Sequence, residues 1–160
     1  MTAFWSRFRK YKAHWWVPGI LILGFLVWWL WPEPLDPYEE TAIRFVETAY
    51  VQADTDAVKP YLDERLEPEH FEGLGQLVEP GDVKIGSKPM GFDSKQVVIY
   101  LSKPSDLGNT IIVSVRKEGD QYLVYTDKIR YFDASDFETF EEVQVQKGLN
   151  ITEWKNSELD

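Results

Sequence analysis

An uncharged apolar segment, residues 15–31, constrains this chain more than any other feature of its sequence. It reads WWVPGILILGFLVWWLW, and as an α-helix it would extend about 26 Å, close to the roughly 30 Å hydrocarbon thickness of a bilayer. Indole rings prefer the headgroup interface. The segment therefore predicts a transmembrane helix anchored at both interfaces by Trp15, Trp16, Trp28, Trp29 and Trp31.

Three other interpretations of this segment fit less well. A cleaved signal peptide would end in small residues, whereas this segment ends in Trp-Leu-Trp and is followed by Pro-Glu-Pro. A buried core helix would not carry tryptophans at both ends behind a cluster of cations. An interfacial helix would have a polar face, and residues 15–31 have none.

Charge asymmetry predicts how the segment is oriented. The only charged residues before it are basic (Arg7, Arg9, Lys10 and Lys12), and the charged residues that follow it are acidic as far as Glu40. Because cytoplasmic flanks carry the excess of Lys and Arg, residues 1–14 are predicted to be cytoplasmic. The predicted location is the cell membrane, with the C-terminal domain extracytoplasmic.

Composition limits what that domain can do. Beyond residue 31 the chain has 13 basic and 27 acidic residues, a net charge of −14, which repels nucleic acids. The chain has no cysteine, which excludes disulfides and thiolate metal sites. An apolar fraction of 44% is sufficient for a packed core.

We divide the remaining chain into a Pro-rich spacer (32–36), an α+β domain (37–150) and a flexible tail (151–160). Asp36-Pro37-Tyr38-Glu39 is a capping sequence, and helical spacing of apolar residues follows it to about Ala53. Asp56 is a plausible cap for a second, shorter helix. A third helical stretch is predicted from Pro68, with Phe71, Leu74 and Leu77 inward.

From Gly81 the apolar residues alternate, which predicts strands. The predicted strands lie near Val83 and Ile85, at 96–101, at 110–117 and at 121–131, with Leu123, Tyr125, Ile129 and Tyr131 on one side of the last. Gly119-Asp120 is a two-residue hairpin turn. Ser135-Asp136-Phe137-Glu138 is a second capping sequence that favours a last helix with Phe137 and Phe140 inward.

This order predicts helices packed on one face of a curved antiparallel sheet. The opening helix with Ala49-Tyr50, the short helix near 54–56 and the hairpin at 117–122 resemble the nuclear transport factor 2-like superfamily over residues 37–132. The resemblance implies a cone-like sheet around a helix with a pocket at its wide end. A cystatin-like helix-on-sheet domain is the alternative.

Candidate chemistry is sparse. His14 precedes the membrane segment, and His70 follows Pro68-Glu69, where a solvated imidazole is the usual outcome. No metal ligand set, phosphate loop or nucleophile motif is present, so no catalytic residue, metal or cofactor is expected. In a conical fold Phe45, Tyr50, Tyr61 and Tyr125 could line a pocket.

Two classes of function follow. Some members of the resembled superfamily are membrane-anchored envelope modules, including type IV secretion assembly factors, and others are isomerases or dehydratases. We expect a non-enzymatic, single-pass anchored module that contacts the lipid bilayer and other envelope proteins. The alternative is a pocket enzyme of the isomerase or dehydratase type, or a domain that binds a small ligand.

Overall fold

The computed structural model describes residues 16–30, 34–67, 77–106, 108–125 and 130–160. The chain divides into two compact units, Met1–Glu33 and Pro34–Asp160. In the first unit, helix α1 occupies Trp16–Leu30. Its large apolar side chains are exposed where they are described (Ile20, Leu21, Ile22, Leu23, Phe25 and Leu26). No helix in the described part of the chain is both long and apolar enough to cross a membrane.

The second unit begins with helix α2, Pro37–Val46, which starts as the sequence predicts. The Asp36 side chain accepts hydrogen bonds from the backbone N–H groups of Tyr38 and Glu39, and the Glu39 carboxylate accepts one from the Asp36 N–H. This reciprocal capping satisfies N–H groups that the helix cannot satisfy itself. The helix continues as a π-helical turn, Glu47–Val51.

The second helix has a different cap from the one predicted. Helix α3, Thr55–Val58, is capped by Asp54, whose carboxylate accepts hydrogen bonds from the N–H groups of Asp56 and Ala57, so the prediction of Asp56 as cap was wrong. A 3₁₀ turn, Lys59–Tyr61, follows. The predicted third helix from Pro68 lies outside the described residues, except for the partly buried Leu77.

The domain is α+β, with an antiparallel sheet curled into a half-barrel. The spatial order is β4-β3-β2-β1-β6, and β5 also pairs with β3. The strands are β1 (Gly81–Gly91), β2 (Ser94–Ser105), β3 (Gly108–Glu118), β4 (Gln121–Val124), β5 (Arg130–Phe132) and β6 (Lys155–Leu159). Gly119-Asp120 forms the predicted hairpin turn, because Glu118 pairs with Gln121 across it.

The strand predicted at 121–131 is interrupted. β4 and β5 both pair with β3: Val124 lies opposite Val115, and Arg130 lies opposite Ile112. Five residues separate Val124 from Arg130, but only two separate Ile112 from Val115 on β3. Three extra residues reverse which side of the strand faces the core, because side chains alternate with period two. Tyr122 and Val124 therefore join Tyr131 in the main core, rather than Leu123 as predicted.

Both faces of the sheet are covered, which corrects the prediction of helices on one face only. α2 packs on the face that presents Val97, Ile99 and Val113. The other face, with Val98 and Tyr100, is covered by helix α4, Phe137–Gln146. The aromatic rings that meet there are Tyr100, Phe132, Phe137, Phe140 and Trp154.

The predicted flexible tail is part of the sheet. β6 pairs with β1 from Gly81–Leu159 to Ile85–Lys155, and Leu159 is 1% exposed. The chain reaches this edge by crossing close over Gly86, where a Cβ atom would lie 2.5 Å from the Ile151 side chain and 2.9 Å from the Glu153 carbonyl oxygen. Polar residues such as Asn156 and Glu158 gave no apolar alternation, so the strand was missed.

Candidate functional site

Two of the predicted pocket residues are core residues. Phe45 and Tyr50 are 0% and 1% exposed, and their rings meet edge to face with centroids 5.9 Å apart. The Tyr50 hydroxyl is 2.8 Å from the Tyr131 hydroxyl. Burial, together with the neighbouring Tyr131, raises the pKa of Tyr50 far above its usual range. Tyr50 is therefore a neutral hydrogen-bonding group that joins α2's extension to β5.

The other two predicted pocket residues are half-buried. Tyr61 packs against the main core, and the Tyr125 ring lies 5.8 Å from the Arg116 guanidinium carbon. Their neighbours Leu62 and Val124 form a parallel β-bridge, which brings the two segments together. Of the four residues, Tyr61 and Tyr125 present more surface to solvent, so they are the remaining candidates for ligand contact.

Buried carboxylates are the next place to look for chemistry, because a catalytic base needs a carboxylate that can reach substrate. Glu39, Glu47 and Asp63 are each 3–4% exposed. Each is ion-paired: Glu39 with Lys155 at 2.8 Å, Glu47 with Arg44 at 3.0 Å, and Asp63 with Arg116. Each of these buried carboxylates is therefore engaged in a structural ion pair. Among the described residues, no group of three or more potential ligands could hold a metal ion.

The densest polar arrangement joins the start of the domain to the sheet. We call it the attachment cluster and define it as Asp36, Glu39, Ser87, Lys95 and Lys155. Glu39 accepts hydrogen bonds from Ser87 Oγ and Lys155 Nζ, both at 2.8 Å, in addition to the Asp36 N–H at 3.0 Å. Lys155 Nζ also donates to the Pro34 carbonyl oxygen at 3.1 Å. One carboxylate thus links α2, β1 and β6.

Asp36 adds a second ion pair to the cluster, with Lys95 of β2. Partial burial by itself would raise the pKa of Asp36, but the Lys95 ammonium and the Glu39 and Tyr38 N–H groups outweigh it, and the pKa is lowered. Tyr38 extends these contacts, because its hydroxyl donates to the Asp93 carbonyl oxygen at 3.2 Å and its ring meets Tyr122 edge to face. The first residues of the domain are therefore in contact with four strands.

Several predicted functional residues cannot be placed. The topology determinants Arg7, Arg9, Lys10 and Lys12, the anchors Trp15 and Trp31, and both histidines lie outside the described residues. Trp16, Trp28 and Trp29 lie in α1, where the structure describes only the backbone at these positions.

Sequence reasoning found Asp36 and Glu39 as caps but missed their tertiary partners. Lys155 was missed because it lies in the predicted tail, 116 residues from Glu39. The only local indication that Lys155 has a structural role is that it is the single basic residue in the otherwise acidic stretch from Glu153 to Asp160.

Comparison of the chain with protein-family models, with curated proteins and with solved structures gives no match.

Proposed function

We propose that this chain is a single-pass, membrane-anchored module whose acidic domain lies outside the cytoplasm and binds other proteins of the cell envelope. The observation that carries the proposal is the helix α1, in which uncharged apolar side chains are 47–67% exposed from Ile20 to Leu26. A helix that is apolar all round requires an apolar environment. Trp15 and Trp31, adjoining the helix, would place indole rings at both interfaces.

The attachment cluster supports a tethering role. The domain is bonded to its own sheet from Pro34 onward. Because α1 and the domain belong to one chain, a membrane-held α1 would confine the domain to the bilayer surface and raise its effective concentration for partners in the same membrane.

The pairing of the buried carboxylates favours binding over catalysis. A general base in an isomerase or dehydratase of the predicted type would be a carboxylate or tyrosine in an open apolar pocket. Glu39, Glu47 and Asp63 are held by cations, and Tyr50 is bonded within the core. This arrangement supports a rigid scaffold that acts through its surface.

For the finer fold, we propose a nuclear transport factor 2-like domain over residues 37–132. The curled antiparallel sheet with α2 packed against it supports this assignment. So does the β-bridge at Leu62, which stands where that superfamily has a short strand after its second helix. α4 and β6 follow the region of resemblance and cover the second face and one edge of the sheet.

Reporter fusions after Asp160 test the orientation. An active alkaline phosphatase and a dark green fluorescent protein are expected, because the cations before Trp15 should hold the N-terminus inside. Replacing Arg7, Arg9, Lys10 and Lys12 with neutral residues should weaken this pattern. A fluorescent fusion with an inactive phosphatase would overturn the proposed topology.

Complementation of a deletion strain tests the class of function. Tyr61→Phe and Tyr125→Phe remove the hydroxyls of the two half-buried pocket candidates and should leave the phenotype intact. Replacing residues 1–33 with a cleavable export signal should abolish function, since the domain loses its confinement to the membrane. An enzyme gives the reverse result: the released domain would work on a diffusible substrate, and loss of one catalytic hydroxyl would cost about a hundredfold or more.

A further inference from the structure

The turn between β1 and β2 has an unusual composition. Gly91 pairs with Ser94, so Phe92 and Asp93 are the two turn residues, with φ angles of 49° and 54°. Both lie in the left-handed region, as a type I′ turn requires, and this region favours Asn and Gly. A bulky aromatic residue is strained there, because its Cβ atom crowds the following carbonyl oxygen.

Phe92 gains no packing in return. Its side chain is 105% exposed, and Met90, the residue bulged out of the β1–β2 register, is 51% exposed. A strained backbone and two exposed large apolar side chains in one turn are features that persist for function rather than for stability. We call Met90 to Asp93 the apolar turn.

The attachment cluster fixes where the apolar turn lies in the domain. The Asp93 carbonyl oxygen accepts the hydrogen bond from Tyr38, and Lys95 of the cluster follows two residues later. The turn is therefore at the same end of the sheet as Pro34, the first residue of the domain. The β2–β3 turn at Asp106 marks the opposite end.

Charge differs between the two ends. Near the apolar turn, three acidic residues are ion-paired: Asp36 with Lys95, Glu39 with Lys155, and Glu118 with Arg116, which also pairs with Asp63. Lys88, Lys117, Asp93, Asp120 and the exposed Glu40 also lie at this end. The far end exposes Asp82, Asp106, Glu158 and Asp160 in addition to one exposed ion pair, Lys103 with Glu79 at 3.6 Å. Paired charges lower the cost of approaching a surface of low dielectric constant, so the end with the apolar turn is the one suited to contact with lipid.

We propose that the apolar turn inserts into the interface of the same bilayer that holds α1, with Phe92 as the inserting side chain. The inference rests on the proposed membrane anchoring. Aromatic side chains are favoured at the headgroup level. Because the turn and α1 belong to one chain, insertion is intramolecular and needs little affinity. Insertion gives the domain a second point of contact with the membrane and fixes the face that it offers to partners.

The test uses the full-length chain in phosphatidylcholine nanodiscs. Because the chain has no cysteine, Met90→Cys and Asp106→Cys each give one site for an environment-sensitive fluorophore. Nitroxide-labelled lipids quench a probe in the bilayer, and iodide quenches one in water. The same Met90 probe is measured again with Phe92→Gly, which relieves the turn strain and therefore preserves the fold.

The expected result is lipid quenching at position 90 and iodide quenching at position 106. Phe92→Gly should lower the equilibrium constant for insertion by about tenfold or more, because the apolar area of one phenyl ring is lost, and lipid quenching at position 90 should fall with it. Equal lipid quenching in the presence and absence of the Phe92→Gly change would overturn the proposal. So would a position-90 probe shielded from both quenchers, which indicates a protein partner or a second copy of the chain. A chain that does not incorporate into nanodiscs overturns the proposed anchoring itself, and insertion with it.

Discussion

Glu39 gives the sharpest test of how the domain is held together. Glu39→Gln keeps the shape of the side chain but removes the charge that accepts hydrogen bonds from Ser87, Lys155 and the Asp36 N–H. Hydrogen bonds to charged groups contribute about 1.5–3 kcal/mol, and breaking a fully buried ion pair costs about 3–5 kcal/mol. Because Lys155 is 19% exposed, water can partly solvate the ammonium. We expect a loss of about 2–3 kcal/mol.

The measurement is urea and thermal unfolding of residues 34–160, which we expect to fold without the anchor as a soluble, cooperative unit. For this domain, that loss lowers the melting temperature by about 6–15 °C. Lys155→Met should cost a similar amount, and the double variant should lose about 1–2 kcal/mol less than the two single losses combined. Glu40→Gln, the exposed neighbour on the same helix, is the matched control and should stay within about 0.5 kcal/mol.

Additive losses would refute the argument that Glu39 and Lys155 act as a pair. A Glu39→Gln variant as stable as Glu40→Gln would show that the attachment cluster does not stabilise the domain. A fragment that aggregates or melts without cooperativity would show that residues 1–33 contribute to its core.

Three further predictions concern stability. The pKa of Asp36 is lowered, so its carboxylate stabilises the fold fully above the ordinary pKa of 3.8 and loses this effect as pH falls through the folded-state pKa. Asp36→Asn, which retains the cap, should therefore be less stable than wild type at a pH of about 6 and equally stable near a pH of about 2. A stability difference that does not change with pH would contradict this assignment. Gly86→Ala should destabilise the domain by about 1–3 kcal/mol in urea unfolding, because the added methyl group meets the Glu153 backbone. Gly119→Ala is the control: it has no such contact, is strained only by its positive φ, and should cost about 1 kcal/mol. Leu159→Ala should cost about 2–4 kcal/mol and increase amide exchange in β1; a neutral effect would show that β6 is dispensable.

The sequence carried enough information for the elements whose signals are local. The cap at Asp36 and Glu39, the hairpin at Gly119-Asp120 and the helix after Asp136 depend on residues within four positions of one another, and all three form. β2 was recognised because apolar residues on both sides of a strand indicate burial on both faces. The α+β class followed from the change of period at Gly81.

Contacts between residues far apart in the chain leave no pattern in the local sequence. The Glu39–Lys155 pair spans 116 residues, and neither side chain carries a local sign of the other. A helical pattern shows that the side chains of Phe45 and Tyr50 face inward but not whether the space there is filled, and in the structure both are core residues. The apolar turn was missed because Gly-Phe-Asp-Ser does not contain the Asn-Gly pair that usually marks such a turn.

What the sequence by itself determined is the division of the chain: an uncharged, tryptophan-flanked segment behind four cations, then an acidic domain whose helices precede its strands. These follow from composition and short-range periodicity, which do not depend on the fold. Only the tertiary structure decided that β6 closes the edge beside β1, that three extra residues turn Tyr131 toward the core, and that α4 covers the second face. Edge pairing and the choice of face depend on which surfaces remain uncovered once the other strands are in place, and that is a property of the assembled sheet.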